Sequence, residues 1–212
     1  MANLQKIKNG KRTFAITPDI PGGFVTPKQL VKIGEVTKKY NGALKITSGQ
    51  RILITNLNME DIPKIWEELG MKPAVINQNS IKNVEMCPAG FCKRSKFNTI
   101  GTGMKLYNKY QRMDMPCRTK IGVAGCKDAC GSVYCKDIGV VADKTGFIVS
   151  VGGSGGYNQR LADIIAENLT EAQALALVDK IVEFYKASAQ PGEKLGFFID
   201  RIGIEEFKTN VL

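Results

Sequence analysis

The stretch KIGVAGCKDAC, residues Lys120 to Cys130, joins an apolar run to a glycine and two cysteines. Such a run is typical of a buried strand, and a strand at Thr119 to Val123 delivers both cysteines to its carboxyl end. A second pair lies upstream in CPAGFC, residues Cys87 to Cys92. The spacings are C-x3-C and C-x4-C, so the four thiolates meet only if the fold closes the gap between the pairs.

Four cysteines in this arrangement are compatible with disulfides, a zinc site, an iron–sulfur cluster or unligated buried thiols. Disulfides mainly stabilise short secreted chains, and Met1 to Gly10 of this 212-residue chain shows no apolar signal segment. Structural zinc prefers C-x2-C turns, which neither pair has. Iron–sulfur clusters accept more varied spacing. The spacing therefore favours a cluster, with zinc and buried thiols as the remaining alternatives.

The chain carries a formal charge of +10 and contains no histidine. Proton delivery therefore falls to lysine, tyrosine, a carboxylate or water held by arginine. The charge favours a polyanionic partner, such as nucleic acid, a phosphorylated molecule or a carboxylate-rich cofactor, or it is a merely soluble basic surface. Nucleic acid is disfavoured because the aromatic residues form no stacking platform among the lysines. No run of eighteen apolar residues occurs, so we expect no membrane span.

Turn and capping signals predict a small α+β lobe at the start of the chain. Met1 to Arg12 is expected to be frayed or partly strand. The elements predicted after it are a strand at Thr13 to Ile16, a turn at Pro18 to Gly23, a helix from Pro27 to Tyr40, strands at Ala43 to Thr47 and Arg51 to Thr55, and a helix from Met59 to Leu69. Thr26 caps the first helix, whose apolar stripe includes Leu30. This order is typical of a ferredoxin-like lobe, and its boundary is expected within Pro73 to Ser80.

The rest of the chain is predicted to form an α/β core. The expected elements are a loop leading into a helix over Cys92 to Tyr110, strands at Thr119 to Val123, Ile138 to Ala142 and Phe147 to Val151, a helix after the Thr170/Gln173 capping box, and short helices at Lys194 to Asp200 and Ile204 to Val211. The glycine loop Gly152 to Gly156 offers backbone N–H groups to an anion. It lacks the dinucleotide and P-loop patterns, which disfavours a phosphotransferase.

Together these motifs resemble the siroheme-containing nitrite and sulfite reductases, most closely the siroheme domain of the large subunit of assimilatory NAD(P)H nitrite reductase. The resemblance covers nearly the whole chain. Besides the two cysteine pairs, it rests on IPGGFVTPKQL (Ile20 to Leu30), KYNGALKITSGQRI (Lys39 to Ile52), KDIGVV (Lys136 to Val141), VGGSGG (Val151 to Gly156) and FIDRIGIEEFK (Phe198 to Lys208). It implies an α+β fold, with a ferredoxin-like half domain over residues 1–76 and a siroheme and [4Fe–4S] binding domain over residues 77–212.

The resemblance also implies roles for individual residues. Four cysteines would ligate the [4Fe–4S] cluster, and the thiolate of Cys130 would also bridge to the siroheme iron: the set is Cys87, Cys92, Cys126 and Cys130. Basic residues would surround the eight siroheme carboxylates and the substrate anion. The catalytic set is Arg51, Arg118 and Lys120, and the cofactor-binding set is Gln50, Arg51, Lys93, Gly153, Gly155, Arg160 and Cys130. Without the resemblance, each of these cations is more commonly a solvated surface charge.

Three departures from the family pattern stand out. The first cysteine pair is C-x4-C, where the family usually has C-x5-C. Asp19 lies in a stretch that bears an arginine in the family, and its carboxylate would repel an anion if it pointed into the site. Arg118 replaces a lysine, which keeps the charge but changes the donor geometry. Cys117 and Cys135 lie outside the ligand set and are either inert thiols or redox-active neighbours of the cluster.

The activity implied is the six-electron reduction of sulfite to sulfide or of nitrite to ammonia by a small, stand-alone cytoplasmic enzyme. No flavin or NAD(P) fingerprint is present, so electrons are expected from a ferredoxin or a separate reductase subunit. Full-size members of the family contain the lobe-plus-core unit twice, and this chain contains it once, which favours a homodimer. The alternative is a non-catalytic [4Fe–4S] protein, derived from this family, that transfers electrons or senses redox state.

Overall fold

The computed structural model describes residues 2–8 and 10–212, which fold into two compact units, Met1–Asn77 and Gln78–Leu212. Both contain a sheet and helices, as the predicted α+β class requires. Within the described ranges, no helix is both long enough and apolar enough to cross a membrane.

The N-terminal unit is a four-stranded antiparallel sheet with two helices. Its elements are β1 (Asn3–Lys8), β2 (Lys11–Ile16), α1 (Pro27–Lys39), β3 (Ala43–Ile46), β4 (Ile52–Leu57) and α2 (Ile62–Leu69). The strand order is β1-β2-β4-β3, so β1 and β3 are the edges. Aliphatic side chains from the inner strands and both helices form the core, among them Ile16, Ile33, Ile54, Leu57 and Ile65.

The sequence signals for this unit are largely confirmed. Thr26 and Gln29 form the capping box of α1, and β3 and β4 form the predicted hairpin. The basic lead, expected to be frayed or partly strand, contributes β1 and part of β2, while Met1 and Asn9 lie outside the described residues. Leu30 was wrongly predicted on the apolar stripe of α1, because Ile33 and Val36 form the buried face and Leu30 is exposed.

The C-terminal unit is built around a five-stranded mixed sheet. Its strands are β5 (Ile81–Met86), β6 (Thr119–Ala124), β7 (Ile138–Asp143), β8 (Gly146–Val151) and β11 (Asp163–Leu169), in the order β11-β8-β7-β6-β5. Strands β5, β6 and β7 run parallel, and β8 and β11 are antiparallel to their neighbours. A short hairpin, β9 (Ser154–Gly155) and β10 (Gln159–Arg160), follows β8. The helices are α3 (Ile100–Tyr110), α4 (Glu171–Ser188), α5 (Leu195–Ile202) and α6 (Ile204–Val211).

The two faces of this sheet differ in character. One face carries large aliphatic side chains that pack with α3 and α4 in the main core, including Val84, Met86, Ile121, Val123 and Val140. On the opposite face a single row of small or polar paired residues crosses four strands, namely Glu85, Gly122, Gly139 and Ser150. Beside this row lies a smaller apolar cluster formed by Ala124, Ala129, Val133, Val141 and Ile148. We call this second surface the polar face.

Glycines on the polar face make room for the segment that connects β6 to β7. A Cβ atom at Gly139 would lie 2.9 Å from a methyl group of Val133, and one at Gly122 would lie 3.3 Å from the same methyl. Val133 belongs to a single 3-10 turn, Val133–Cys135, which therefore rests directly on the strands. A strand glycine commonly marks such a close backbone approach.

Candidate iron–sulfur site

The cysteines of both predicted pairs lie in two loops at the same edge of the five-stranded sheet. Cys87 follows β5 directly, and Gly125-Cys126 follows β6. These strands are parallel neighbours, with Met86 opposite Val123, so their carboxyl ends meet. We call residues 87–99 the first cysteine loop and residues 125–137 the second.

Hydrogen bonds join the two loops at their bases. The N–H of Cys87 donates to the carbonyl of Val123 over 3.0 Å, and the N–H of Gly125 donates to the Cys87 sulfur over 3.1 Å. The N–H of Lys96 donates to the carbonyl of Gly125 over 2.7 Å. A backbone N–H directed at a cysteine sulfur stabilises the thiolate form, which is the form that binds iron.

An ion pair joins the loops farther out. Arg94 Nη1 lies 2.7 Å from Asp128 Oδ2, and Asp128 stands between Cys126 and Cys130 in the chain. The hydrogen bond to Asp128 is the main cause that raises the pKa of Arg94, with smaller contributions from the Asp128 charge and from Cys126 and Cys130. Arg94 thus joins the first cysteine loop to the second through Asp128.

Gly125 is the point of closest approach between the loops. A Cβ atom at this position would overlap Ser95 Oγ and would lie 2.8 Å from the Cβ of Ala89. The same tight packing brings the Gly125 N–H onto the Cys87 sulfur. Glycine is therefore required at position 125, before the second cysteine pair, because any side chain would collide with the first cysteine loop.

All six cysteines are free thiols. Cys92 and Cys130 are exposed, and Cys87 and Cys126 are partly buried. Across residues 2–8 and 10–212, no three acidic or cysteine side chains converge closely enough to hold a single metal ion. Structural zinc has tetrahedral ligands at about 2.3 Å from the ion, whereas a [4Fe–4S] cluster distributes its four thiolates over four irons. Two joined loops that each carry two of the predicted thiols fit a ligand set for the larger group.

The polar face carries a buried ion pair beside the cysteine loops. Lys136 Nζ lies 2.6 Å from Glu85 Oε2, with side chains only 11% and 6% exposed. Lys120 lies on the same face and is half-buried. Burial is the main cause that lowers the pKa of Lys120, and Lys136 lowers it further. Arg118, near the start of β6, is exposed.

The predicted cofactor residues of the C-terminal unit have different environments. Lys93 is exposed in the first cysteine loop. Gly153 is buried, and a Cβ there would lie 2.6 Å from the carbonyl of Tyr134, which is a packing reason for glycine. Gly155 and Arg160 line a cavity of about 360 Å³ together with Cys135. Their roles toward a cofactor stay predictions.

Arg160 is engaged through every donor of its guanidinium. Nε and Nη2 donate to Asp200, Nη2 also donates to Asp163 over 2.6 Å, and Nη1 donates to the carbonyls of Gly152 and Leu161. An arginine has five N–H donors, and all five are used within the chain. Arg160 thus fastens the hairpin β9–β10 to α5, and contact with a carboxylate would require one of these bonds to break.

Gln50 and Arg51 belong to the N-terminal unit. Gln50 has a φ of 56° at the turn between β3 and β4, and the Arg51 N–H donates to Thr47 Oγ1 over 3.2 Å. The Pro-Gly-Gly turn packs on this hairpin, because a Cβ at Gly23 would lie 3.1 Å from the Cβ of Gln50. Asp19 is partly buried before the same turn, and its N–H donates to the carbonyl of Lys72. The turn thus holds Gln50 and Arg51 on a fixed backbone.

The two remaining cysteines lie apart from the predicted ligand set. Cys135 ends the 3-10 turn of the second loop and lines the 360 Å³ cavity. Cys117 precedes β6, and its carbonyl accepts a hydrogen bond from Thr119 Oγ1 over 2.9 Å. Both thiols are partly buried, and the choice between inert and redox-active roles stays a prediction.

Three charged residues of the polar face were not predicted as site residues: Glu85, Lys136 and Asp137. Glu85 lies in β5, a strand that the sequence analysis did not predict because polar residues interrupt its apolar pattern. Lys136 and Asp137 open the KDIGVV motif, which carried the family resemblance without an assigned role. Lys136 and Asp137 could have been predicted as site residues, because they form a charged pair directly before a continuous apolar strand.

Two family models cover almost the entire chain. The "Nitrite/Sulfite reductase ferredoxin-like half domain" matches residues 5–72, and the "Nitrite and sulphite reductase 4Fe-4S domain" matches residues 77–212. The second match alone spans more than half of the chain. A protein of this family has a [4Fe–4S] cluster and siroheme as its cofactors.

Relatives of two sizes match the chain. It is 32% identical over 208 residues to an assimilatory-type sulfite reductase of Nitratidesulfovibrio vulgaris, covering 97% of this chain and 95% of that protein. It is 33% identical over 218 residues to an NAD(P)H nitrite reductase of Emericella nidulans, covering 100% of this chain but only 19% of that protein. The chain thus corresponds to a whole small protein in one case and to a fifth of a large enzyme in the other.

Solved structures confirm the fold. Dissimilatory sulfite reductase I matches with a TM-score of 0.82 at 12% identity, covering 94% of this chain and 69% of that chain. The NirA protein of Mycobacterium tuberculosis matches with a TM-score of 0.78 at 17% identity, covering 94% of this chain and 40% of that chain. The two family-model matches, together with a relative that is 32% identical over nearly its whole length, show that the chain belongs to the nitrite and sulfite reductase family of oxidoreductases.

Proposed function

We propose that this chain is a small reductase that converts sulfite to sulfide, or nitrite to ammonia, with six electrons from a separate donor protein. The observation that carries the proposal is the pair of cysteine loops joined at the carboxyl ends of β5 and β6. Sulfite is the anion to assay first, since the relative of equal length is a sulfite reductase.

The ligands of the cluster in this proposal are the two loop pairs, Cys87 and Cys92 with Cys126 and Cys130. Cys130 is exposed, so its thiolate would be accessible to both cofactors and would help to hold them. When bound, the two cofactors supply electrons singly and an iron on which the anion is reduced. The chain provides the thiolates, the N–H directed at the Cys87 sulfur, and the positive charge around them.

Cations of the chain bind the anion and the siroheme carboxylates in this proposal. Lys120 is half-buried without an ion-pair partner in the described ranges, so its charge is available to an anion. Arg118 and Lys93 are exposed and suit the cofactor carboxylates. Arg51, which follows the turn at Gln50, is also assigned to the cations that bind the anion. Positive groups that meet a reacting anion stabilise the charge that develops during reduction.

The test is the visible spectrum of protein purified without oxygen, with iron and acid-labile sulfide assayed on the same sample. A red-region chlorin band with about five irons per chain, from one cubane and one siroheme, is expected. Turnover of sulfite and of nitrite with reduced viologen then identifies the preferred anion. About four irons without a chlorin band, and no turnover, would refute the reductase and favour the non-catalytic electron-transfer protein.

We also propose that the donor is an acidic ferredoxin or reductase subunit and that the chain is a cytoplasmic homodimer. The formal charge of +10 suits an acidic donor. The edge strand β3 exposes Leu44 and Ile46, and an exposed apolar edge strand is a template for pairing with another chain. Sedimentation of the purified protein tests the dimer, donor titration at rising ionic strength tests the charge effect, and cell fractionation tests the location.

A further inference from the structure

The buried ion pair of the polar face links the start of β7 to β5 across the intervening strand β6. Lys136 follows the 3-10 turn of the second cysteine loop, and its side chain crosses β6 to reach Glu85 on β5. It passes over Gly122, where a Cβ would lie 2.9 Å from Lys136 Cγ. The glycine therefore provides the path by which the ammonium meets the carboxylate.

Lys120 is the neighbouring cation. Its position on β6 is two residues before Gly122, which pairs with Glu85, so Lys120 and Glu85 are diagonal neighbours on one face of adjacent strands. Glu85 Oε1 is buried and accepts no hydrogen bond from any described residue. Lys136 thus compensates the charge of Glu85 through one carboxylate oxygen, and Lys120 does not bind the other.

Both carboxylates near Lys120 bind groups other than the Lys120 ammonium. Glu85 binds Lys136, and Asp137, which is buried, accepts the backbone N–H of Lys120 over 2.8 Å. Among residues 2–8 and 10–212, no carboxylate forms an ion pair with the Lys120 ammonium. A half-buried lysine without a counter-ion is costly to maintain, so its position calls for a role.

We propose that the Glu85–Lys136 pair is a positioning device that keeps Lys120 unpaired and available to the substrate anion. The inference rests on the proposed function and assigns to Lys136 and Glu85 a task that acts through Lys120. Without the Lys136 ammonium, the uncompensated carboxylate of Glu85 would attract its diagonal neighbour Lys120, and the Lys120 charge would be paired within the protein.

Besides burial, which is the largest cause, the charges of Lys136, Glu85, Arg118 and Asp137 affect the pKa of Lys120, and the ion pair contains two of these groups. Lys136 and Arg118 lower the pKa, while Glu85 and Asp137 raise it against the larger effect of burial. In Lys136→Met, the freed Glu85 should pair with Lys120 and raise its pKa. In Glu85→Gln, Lys136 loses its counter-ion and the pKa of Lys120 should fall. The two single variants therefore shift Lys120 in opposite directions.

Competitive labelling of lysines with acetic anhydride, read by mass spectrometry over a range of pH, measures the free-amine fraction of Lys120 in the purified holoprotein. We expect labelling of Lys120 to fall about three- to tenfold in Lys136→Met and to rise in Glu85→Gln. The double variant Glu85→Gln/Lys136→Met should label like the parent, because one attraction and one repulsion are removed together. A merely structural role would make the double variant as impaired as the worse single variant.

Lys105→Met is the matched control, since Lys105 forms an exposed ion pair with Glu171. It should leave Lys120 labelling unchanged. If Lys136→Met fails to fold, Lys136→Arg and the double variant carry the test, and both must label Lys120 as the parent does. Unchanged Lys120 labelling in Lys136→Met, or reduced labelling in Lys136→Arg, overturns the inference. Labelling shifts as expected in a protein that reduces neither anion would refute the proposed function and leave the pair's role standing.

Discussion

Replacement of Gly125 by alanine should separate the two cysteine loops. The added Cβ would overlap Ser95 Oγ and would lie 2.8 Å from Ala89 Cβ, whereas ordinary contacts of a Cβ begin at about 3.4 Å. Ser95 Oγ cannot retreat freely, because it donates a hydrogen bond over 2.6 Å to the carbonyl of Phe97. The loops must therefore move, which would weaken the 3.1 Å hydrogen bond from the Gly125 N–H to the Cys87 sulfur.

The expected cost of overpacking is about 1–3 kcal/mol of unfolding free energy. For a protein of this size, each kcal/mol lowers the thermal midpoint by about 2–4 °C, so about 2 kcal/mol lowers it by about 4–8 °C. The assay is thermal unfolding followed by circular dichroism without oxygen, with iron determined on the same preparation. We expect both the midpoint and the iron content to fall.

Gly131→Ala is the matched control, because Gly131 lies in the same loop and a Cβ there would have no neighbouring atom within 4 Å. It should leave the midpoint nearly unchanged. Gly125→Ala/Ser95→Ala removes one of the two clashes and should recover part of the loss. A Gly125→Ala protein with the parent's midpoint and iron content would show that close contact between the loops is not required.

Three further predictions concern the proposed ligands, the anion and pH. Cys130→Ser should lose iron and the chlorin band, and full retention of both would remove Cys130 from the ligand set. Arg51→Ala should lower viologen-driven anion reduction with the iron content unchanged, whereas a loss of iron would assign Arg51 a structural role. The hydrogen bond from Lys105, and then that from Thr102, lower the pKa of Glu171 below its ordinary 4.5, so Glu171 stabilises the fold above pH 4.5 and less as pH falls through the lowered pKa. Glu171→Gln should remove this decrease in the free energy of unfolding between pH 7 and pH 3.5, which is less than about 1 kcal/mol at this exposed site. Urea unfolding at the two pH values measures it.

The sequence predicted those parts of the fold whose signals are local. The cap at Thr26 and the capping box at Thr170 are side-chain and backbone hydrogen bonds within four residues, and both are formed as predicted; at Thr26 the cap is a full capping box with Gln29. Strand β6 is apolar on both faces at its end and was predicted for that reason. Strand β5 was missed because Lys82, Asn83 and Glu85 break the apolar pattern, although Glu85 is buried by its pairing with Lys136.

The thiols of the candidate site were predicted from the sequence, whereas its buried charged residues were not. Cysteine spacing limits the ligand chemistry, so four thiolates could be proposed before any strand was placed. Lys136, the partner of Glu85, lies 51 residues away in the chain, and no local sequence pattern predicts a contact over that separation. Arg160 shows the opposite case, because a cation that the resemblance assigned to a cofactor has all its donors committed inside the chain.

The arrangement of the two loops also has a consequence for folding. The cysteine pairs are separated in the chain by α3 and β6, yet they meet at one sheet edge. A cofactor held by both pairs acts as a cross-link that closes the intervening segment, and a covalent link closing a loop of this order removes about 3–5 kcal/mol of chain entropy from the unfolded state. Iron loading would then fasten the α3 crossover to the sheet, and amide exchange in α3 should slow when the cofactor is present.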